Sequence, residues 1–515
     1  MYFRIPDVRS FIVSYMRAFS SKRVFHFVSV FLVFFLSIAY LSAQGYEIKV
    51  KVSNLPEASI ILGHHFATNL LPDDTIKLDK KGEGVFKGKD KLKEGMYFLY
   101  FPSRVILDFL VGSDQIFTIQ TDTTDLQGKT VVTGSTDNEV FFAYQKFIAE
   151  KRRQQQQLQE EFRTASDSAS KNRITQKLKE IDNEVITEIN KILTNFKGYF
   201  VADFVKATRD VEVPDYPRDA QGNVLDSAFK YKYYKAHYFD NMDFTDARLL
   251  RTPIYDEKFK FYFQKVLLQV PDSLIKELDP LIEKARKDPE VFRYVLVTLF
   301  NHYAQSQIMG HDGVFIHIAE KYYIPEATWA NTDFITKLKE QINKRKPLLI
   351  GQTAPDFQLV LIPDDHFRQA ATDTTAAANV YVGSFFRLMN VKAKYTILMF
   401  WECDCGHCQK AMPELHQVFN RLKDKGVQVV AVHMLGGVEG KKKWIKWVNE
   451  HELYGWINAW NPYDYKYKEL YDIKSTPILY LLDENKKIVA KLITPEAAEE
   501  IINALLKENS KKPLT

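Results

Sequence analysis

The region that follows the N-terminal segment alternates apolar and polar side chains with a period of two. Ile48, Val50 and Val52 are separated by lysines, and a compact apolar run follows at residues 97–101. Turn-forming sequences rich in Gly, Asp and Pro lie between such runs. Short strands punctuated in this way are typical of packed β-sheets. The pattern therefore predicts a small β-sandwich-like domain over residues 44–137.

The middle region, residues 138–345, has the period of a helix instead. Apolar residues recur mostly three and four positions apart, as in Ile174, Leu178, Ile181, Val185, Ile189 and Ile192. The glutamine-rich stretch before them contains good helix formers and no breaker. Prolines then divide the later part of the region into short pieces. We expect an all-α domain here.

The last region, residues 346–515, alternates strand and helix patterns. Continuous apolar runs at residues 395–401, 427–432 and 478–482 predict buried strands, and amphipathic stretches lie between them. This order is typical of an α/β domain with a mixed sheet. A polar stretch between Ile362 and Val380, rich in Ala, Thr and Asp, is interpreted as a surface loop.

The N-terminus has the three parts of a secretory signal. Lys22 and Arg23 precede an uncharged, apolar stretch, and small residues follow at Ser42 and Ala43. We predict a signal peptide over residues 1–43 and a periplasmic or otherwise extracytoplasmic protein. The alternative is an uncleaved anchor, because the uncharged stretch is long enough to span a membrane. A lipid anchor is excluded, since no cysteine lies near the end of this segment.

Composition and charge narrow the classes of function. The chain has 515 residues, 46% hydrophobic and 26% charged, which suits a globular protein of about three domains. Its net charge of +5 lies almost wholly in the predicted signal peptide. The rest is close to neutral, so we expect no nucleic-acid partner, and a membrane contact only if the signal is not cleaved.

The chain contains three cysteines, and all lie between residues 403 and 408. They follow a predicted strand and open a predicted helix, with Cys405 at the helix N-terminus and Cys408 one turn later. A Cys-x-x-Cys pair in that position can form and break a disulfide. The helix N–H groups, and His407 when protonated, would stabilise a thiolate on Cys405. Cys408, the more buried thiol, would then resolve the mixed disulfide.

Other uses of the cysteines stay open at this point. Cys403, Cys405, Cys408 and His407 are ligands of the right type for Cu(I) or Zn. A structural zinc site, however, usually draws on two separated ligand pairs. A purely structural disulfide, a peroxidase, and a binding or scaffold protein without catalysis are further alternatives, although a peroxidase needs a lone reactive cysteine in another loop context.

The last region resembles the extracytoplasmic TlpA-like and ResA-like thiol-disulfide oxidoreductases of the thioredoxin superfamily. Three blocks carry the resemblance, in order: residues 351–357 (GQTAPDF), residues 400–408 (FWECDCGHC) and residues 475–477 (STP) before a strand. Residues 238–244 and 246–253 are also similar to the helical middle domain of multidomain bacterial thioredoxins. The resemblance implies a C-terminal α/β thioredoxin fold preceded by the β-sandwich-like and all-α domains.

The resemblance also implies roles for particular residues. Cys405 and Cys408 would form the catalytic, redox-active pair, with Gly406, His407, Trp401, Thr476 and Pro477 in support. Pro477 would be cis, and the backbone of Thr476 would pair with a bound substrate strand. Substrates would be protein thiols and disulfides, with a membrane or periplasmic redox partner, and neither a cofactor nor a metal is expected.

Several positions bear on how closely the chain follows the family pattern. Met399 stands where thioredoxins proper have a buried Asp, and Glu439 lies near, but out of register with, a Glu of the TlpA-like branch. The Gly-His dipeptide between the cysteines is similar to that of the disulfide isomerases. Cys403 is additional, and the sequence leaves its role open.

Overall fold

The computed structural model describes residues 45–372 and 383–509, and the chain divides into two compact units between Val266 and Leu267. The predicted signal peptide lies outside the described residues. The expected domain limits after residues 137 and 345 fall inside the two units and stay predictions. Among the described residues, no helix combines the length and the apolar character needed to cross a membrane.

The first unit begins with two four-stranded sheets, ordered β4-β1-β7-β8 and β3-β2-β5-β6. The strands are β1 (Tyr46–Val52), β2 (Ser59–Phe66), β3 (Asn69–Lys77), β4 (Glu83–Gly88), β5 (Gly95–Tyr100), β6 (Ile106–Val111), β7 (Ile116–Thr121) and β8 (Val131–Thr133). The period-two pattern explains the core, because Ile48, Val50 and Val52 are buried while the lysines between them are exposed. Phe109 of β6 contacts Phe117 of β7, with ring centroids 6.0 Å apart, so the two sheets share a core.

Helices complete the first unit. They span Leu126–Lys129, Thr136–Thr164, Ser168–Asn195, Phe200–Ala207, Phe229–His237, Ala247–Leu250 and Pro253–Phe261, the last continuing into a π-helical turn at Tyr262–Val266. Ser135 and Asp167 cap the two long helices by accepting backbone N–H hydrogen bonds. Ile174 and Ile181 pack with Leu158 between these helices, as the spacing of three and four predicts.

The second unit opens with helices at Pro271–Ala285, Pro289–Gln305, His311–Ile318, Ile324–Glu326 and Thr332–Arg345, with a π-helical turn at Ala319–Tyr323 and a 3₁₀ turn at Lys346–Leu348. A mixed sheet follows, ordered β10-β9-β13-β12-β11-β14-β15. Its strands are β9 (Gln358–Leu361), β10 (Ser384–Arg387), β11 (Tyr395–Trp401), β12 (Val427–His433), β13 (Ile457–Trp460), β14 (Ile478–Asp483) and β15 (Ile488–Lys491).

Helices cover both faces of this sheet. They span Asp364–Thr372, Gly406–Leu422, Gly437–Glu450, Lys466–Leu470 and Pro495–Asn509, with 3₁₀ turns at Leu388–Asn390 and Lys423–Lys425. One apolar core joins one face of β11 to Met412, Trp444 and Ile502. A second core, on the other face of the sheet, includes Phe357 and Tyr471. Every residue of β11 is buried, which its unbroken apolar sequence predicts.

The opening helices of the second unit attach to the sheet through a buried lysine. Lys491 of β15 donates a hydrogen bond of 2.6 Å to the carbonyl oxygen of Leu348 and pairs with the carboxylate of Asp312. The Lys491 side chain is 8% exposed, so the bulk solvent screens this pair weakly.

The prediction of a surface loop between Ile362 and Val380 is wrong for the first part of that segment. Residues Asp364–Thr372 form a helix, and residues 373–382 lie outside the described residues. Phe367 and Ala370 are buried on one side of this helix, and the Phe367 ring contacts the Trp444 ring at 5.1 Å. Two apolar residues three positions apart are too short a pattern to distinguish a helix from a loop in the sequence.

Candidate active site

Cys405 lies where the central strand of the sheet meets its helix. Strand β11 pairs in parallel with β12 and antiparallel with β14, which fixes its carboxyl end on both sides. The chain then makes one turn, in which the N–H of Cys405 donates to the carbonyl oxygen of Glu402 at 3.3 Å. Cys405 is the N-cap of the helix Gly406–Leu422, called here the dithiol helix. The predicted position at a helix N-terminus is therefore observed.

The segment before β14 lies against this cysteine. The Cys405 thiol donates a hydrogen bond to the carbonyl oxygen of Thr476, with an S–O distance of 3.3 Å. The Thr476–Pro477 peptide bond is cis, as the resemblance implies. Both Thr476 and Pro477 are half-buried, so the tertiary structure brings together the second and third sequence blocks.

The pKa of Cys405 is lowered from that of an ordinary thiol. Burial acts in the opposite direction and raises it, but hydrogen bonds to the thiolate outweigh burial. The backbone N–H and the side chain of Cys408 are the largest of these, followed by the side chain of Thr476 and the backbone N–H of His407. Two of the donors are N–H groups of the first helical turn, which have no partner within the helix.

Cys408 differs sharply from its neighbour. Its side chain is fully buried, and burial raises the pKa of its thiol to about 12, with the hydrogen bond to Cys405 acting in the same direction. All three cysteines are free thiols in this structure. The pair therefore combines one partly exposed thiol that ionises easily with one buried thiol that keeps its proton.

Cys403 is buried in the same apolar core as Cys408. Burial raises the pKa of its thiol to about 11, and the nearby carboxylate of Asp404 adds to the shift. The side-chain amide of Gln409 donates to the carbonyl oxygen of Cys403 at 2.9 Å, which fixes the turn before the dithiol helix. The arrangement suits a packing role for Cys403 in the reduced protein.

The remaining predicted site residues occupy different environments. Gly406 and His407 are exposed in the first turn of the dithiol helix. Trp401 is fully buried at the end of β11, where its ring contacts His433 and Trp447 at 5.2 Å each. Glu439 is exposed on the helix Gly437–Glu450 and pairs with Lys442 at 2.9 Å, so no described contact links it to the cysteines.

Some neighbours of the site were not predicted from the sequence. Asp404 pairs with Lys443 at 3.3 Å, which ties the cysteine turn to the helix after β12. His433, at the end of β12, stacks on Trp444 with ring centroids 4.9 Å apart and an interplanar angle of 3°. Burial lowers the pKa of His433 to about 3. The two members of each pair belong to different structural elements, so no local sequence pattern predicts that they meet.

The described residues contain no group of three or more His, Cys, Asp or Glu side chains placed to hold a metal ion. The four side chains considered as a possible metal cluster differ in burial. Cys403 and Cys408 lie in the core, Cys405 is partly buried and His407 is exposed. A cluster with that distribution lacks the convergence that a tetrahedral site needs.

Family models match two segments of the chain. Residues 350–492 match the AhpC/TSA family, and residues 166–345 match a domain of unknown function (DUF5106). The first match contains both Cys405 and Cys408, begins before β9 and ends just after β15. The second match covers much of the helical middle region.

Individual proteins are similar to parts of the chain. A thiol-disulfide oxidoreductase ResA from Oceanobacillus iheyensis is 28% identical over 159 residues, which are 30% of this chain and 71% of that protein. The solved structure of a domain of a possible thiol-disulfide isomerase from Cytophaga hutchinsonii is 34% identical, with 32% of this chain and 99% of that chain covered and a TM-score of 0.26. A thioredoxin-like protein from Bacteroides caccae is 21% identical, with 57% and 99% covered and a TM-score of 0.41.

Together with the observed elements, the comparisons confirm two predictions. The fold class is an N-terminal β-sheet region, an all-helical middle region and a C-terminal thioredoxin-like domain. The predicted enzyme class, a thioredoxin-like oxidoreductase, is also confirmed.

Proposed function

We propose that this protein is an extracytoplasmic thiol-disulfide oxidoreductase of the TlpA-like and ResA-like branch, which exchanges disulfides with protein substrates through Cys405 and Cys408. One observation carries the proposal. The pKa of Cys405 is lowered at the helix N-terminus, while burial raises the pKa of Cys408 to about 12. Two thiols with opposite shifts, three residues apart, suit the two successive steps of disulfide exchange.

In the first step the Cys405 thiolate attacks one sulfur of a substrate disulfide. The S–S bond of the substrate breaks, a Cys405–substrate mixed disulfide forms, and the other substrate sulfur leaves as a thiolate. In the second step Cys408 loses its proton and attacks the Cys405 sulfur, which releases the second substrate thiolate. The substrate gains two electrons, the protein keeps a Cys405–Cys408 disulfide, and two protons neutralise the released thiolates. Two thiols of the redox partner restore the dithiol by the reverse exchange and are themselves joined in a disulfide.

The hydrogen bond between Cys405 and Thr476 supports an extended protein substrate. The Thr476 backbone is half-buried beside the reactive sulfur and precedes the sheet strand β14. A peptide in extended conformation can therefore pair with this backbone while its disulfide reaches Cys405. We propose Thr476 and Pro477 as the substrate-facing residues, with Gly406 and His407 on the open side of the helix turn.

A direct test compares exchange with metal binding. The purified, reduced protein is titrated against glutathione to measure the potential of the dithiol, and its zinc and copper contents are measured in parallel. We expect a reversible two-electron couple that is lost in Cys405→Ser, with no stoichiometric metal. Stoichiometric Zn or Cu(I) held by a protein without disulfide exchange would instead support the metal-binding alternative. A protein with neither property would support the scaffold alternative.

The extracytoplasmic location rests on the N-terminal sequence. We propose cleavage near Gln44, since small residues follow the apolar stretch at that point. N-terminal sequencing of the exported protein tests this proposal. A mature chain that begins near Gln44 is the expected result, and a chain that retains residues 24–40 would support the uncleaved anchor.

A further inference from the structure

The carboxyl-terminal edge of the C-terminal sheet, at which the reactive thiol lies, also carries exposed aromatic side chains. Strands β11, β12 and β13 run parallel to one another, so the segments that follow them emerge at one edge. The first segment leads to Cys405, and the third, residues 461–465, carries Tyr463 and Tyr465. The Tyr463 and Tyr465 side chains are 51% and 43% exposed.

The same edge extends to the outermost strand. β9 runs antiparallel to β13, and β10 runs antiparallel to β9. Phe385 of β10 is 62% exposed, and its ring lies 5.7 Å from the ring of Tyr463. Phe385, Tyr463 and Tyr465 are called here the aromatic strip. The strip lies on the side of Cys405 away from Thr476, because β14 flanks β11 on the opposite side from β12.

Hydrogen bonds of the Asn461 side chain and close packing on Gly436 fix the loop that carries Tyr463 and Tyr465. The Asn461 side chain is 8% exposed, donates to the carbonyl oxygen of Gln358 at 2.7 Å, and accepts hydrogen bonds from the N–H groups of Tyr463 and Asp464. The Tyr465 hydroxyl lies over Gly436, so closely that a Cβ at Gly436 would be 2.2 Å from it. Aromatic rings on a rigid loop lose little entropy when a partner covers them.

We propose that the aromatic strip recognises substrate by binding an extended polypeptide segment with apolar or aromatic side chains next to its reactive cysteine. This inference rests on the proposed function and names the substrate class of the same site. Neighbouring strands lie about 4.8 Å apart, so the loop after β13 is about 10 Å, or two strands, from that after β11. An extended chain advances about 3.3 Å per residue, so a side chain about three residues from the substrate cysteine reaches Tyr465.

The charges around the strip fit a polypeptide better than a polyanion. Residues 464–469 contain Lys466 and Lys468 together with Asp464 and Glu469, so positive and negative charges balance. Lys468 lies over the Tyr465 ring, with its Nζ 5.2 Å from the ring centroid. A surface that binds nucleic acid needs an excess of positive charge, which this segment lacks.

The test uses two pairs of peptides, and the members of each pair differ in one residue. Each peptide carries one cysteine in disulfide linkage to thionitrobenzoate. Phe or Ser stands three residues from the cysteine, on its N-terminal side in one pair and on its C-terminal side in the other. We expect the reduced full-length wild-type protein to react with the better Phe peptide with a second-order rate constant about tenfold higher than with its Ser counterpart. The Tyr463→Ser/Tyr465→Ser variant should lose this preference.

Three controls separate recognition from folding and from chemistry. The Tyr463→Phe/Tyr465→Phe variant keeps both rings and should keep the preference, as should Tyr231→Ser, which removes a tyrosine that is 38% exposed in the first unit. Reaction with dithionitrobenzoate, which has no peptide, should stay within twofold in Tyr231→Ser, and its rate in each other variant corrects the peptide rates of that variant for its content of reactive thiol. A preference that survives Tyr463→Ser/Tyr465→Ser, or is absent from the wild type, would overturn the inference. A wild-type protein that fails to react with dithionitrobenzoate would overturn the proposed function instead.

Discussion

The thiol of Cys405 donates a 3.3 Å hydrogen bond to the carbonyl oxygen of Thr476, 71 residues further along the chain. The contact joins the N-terminus of the dithiol helix to the segment that enters β14. The helix follows β11 along the chain and β14 pairs with β11, so the position of the thiol depends on the central strand. Among the cysteines of the described residues, Cys405 alone is partly exposed, and the hydrogen bond holds it beside a backbone that an extended substrate can reach.

The different environments of the two cysteines predict different products after substitution. In Cys408→Ser, Cys405 can still attack a substrate disulfide, but no thiol resolves the product, so a mixed disulfide should accumulate. Cys405→Ser should abolish exchange without trapping substrate. Non-reducing electrophoresis after incubation with a disulfide-bonded protein distinguishes the two. Trapping by Cys405→Ser rather than by Cys408→Ser would reverse the assignment of the nucleophile.

The lowered pKa of Cys405 predicts selective alkylation of the reduced protein. As pH rises, the rate at Cys405 should reach its plateau at a lower pH than a free thiol does, because its thiolate forms earlier. Cys408 should remain unmodified at neutral pH, since its pKa is raised to about 12. Mass spectrometry after brief iodoacetamide treatment at a series of pH values measures both. Labelling of Cys408 before Cys405 at mildly acidic pH would contradict the prediction.

Cys403 should be dispensable for exchange. Its thiol is buried, its pKa is raised to about 11, and its contacts are those of a small core side chain. We expect Cys403→Ala to keep the rate of exchange within about twofold and to lower the free energy of unfolding by about 1 kcal/mol. Stopped-flow exchange and urea unfolding measure the two effects. A loss of exchange comparable to that of Cys405→Ser would show that Cys403 takes part in the redox chemistry.

Phe367 tests the helix that the sequence analysis missed. Its side chain is fully buried against Trp444, so Phe367→Ala should lower the free energy of unfolding by about 3–5 kcal/mol. Gln369→Ala, on the exposed side of the same helix, is the matched control and should change it by less than about 0.5 kcal/mol. Urea unfolding measures both variants. Equal, small effects would mean that this segment does not pack on the sheet.

His433 should make the protein sensitive to acid. Burial lowers its pKa to about 3, and neither ring nitrogen has a hydrogen-bond partner among the described residues. Between about pH 6.5 and pH 3 the unfolded chain therefore binds a proton that the folded protein does not, so stability falls as pH falls. The ring of His433→Phe can still stack on Trp444.

Urea unfolding of the wild type and His433→Phe at pH 7 and pH 4 measures this effect. The wild type should lose about 2–3 kcal/mol relative to the variant over that interval, because the titration of other groups is common to both proteins. A difference between the two proteins that does not change with pH would show that His433 is not buried in its neutral form.

The sequence by itself determined the local features. The period-two alternation from Ile48 to Val52 and the helical spacing from Ile174 to Ile192 each depend on neighbouring residues, so they indicated the correct elements. The apolar run at Tyr395–Trp401 followed by Cys405 and Cys408 placed the dithiol at a strand-helix junction for the same reason. The pattern also predicted the order of the β, helical and α/β regions.

Only the tertiary structure decided which distant residues meet. The contact between Cys405 and Thr476 and the aromatic strip depend on strand order, and the stacking of His433 on Trp444 depends on how the helix after β12 packs; no local pattern encodes either. The contrast in pKa between Cys405 and Cys408 has the same origin. The free N–H groups of the helix could be foreseen, but the burial of Cys408 depends on the helices and strands that pack around it.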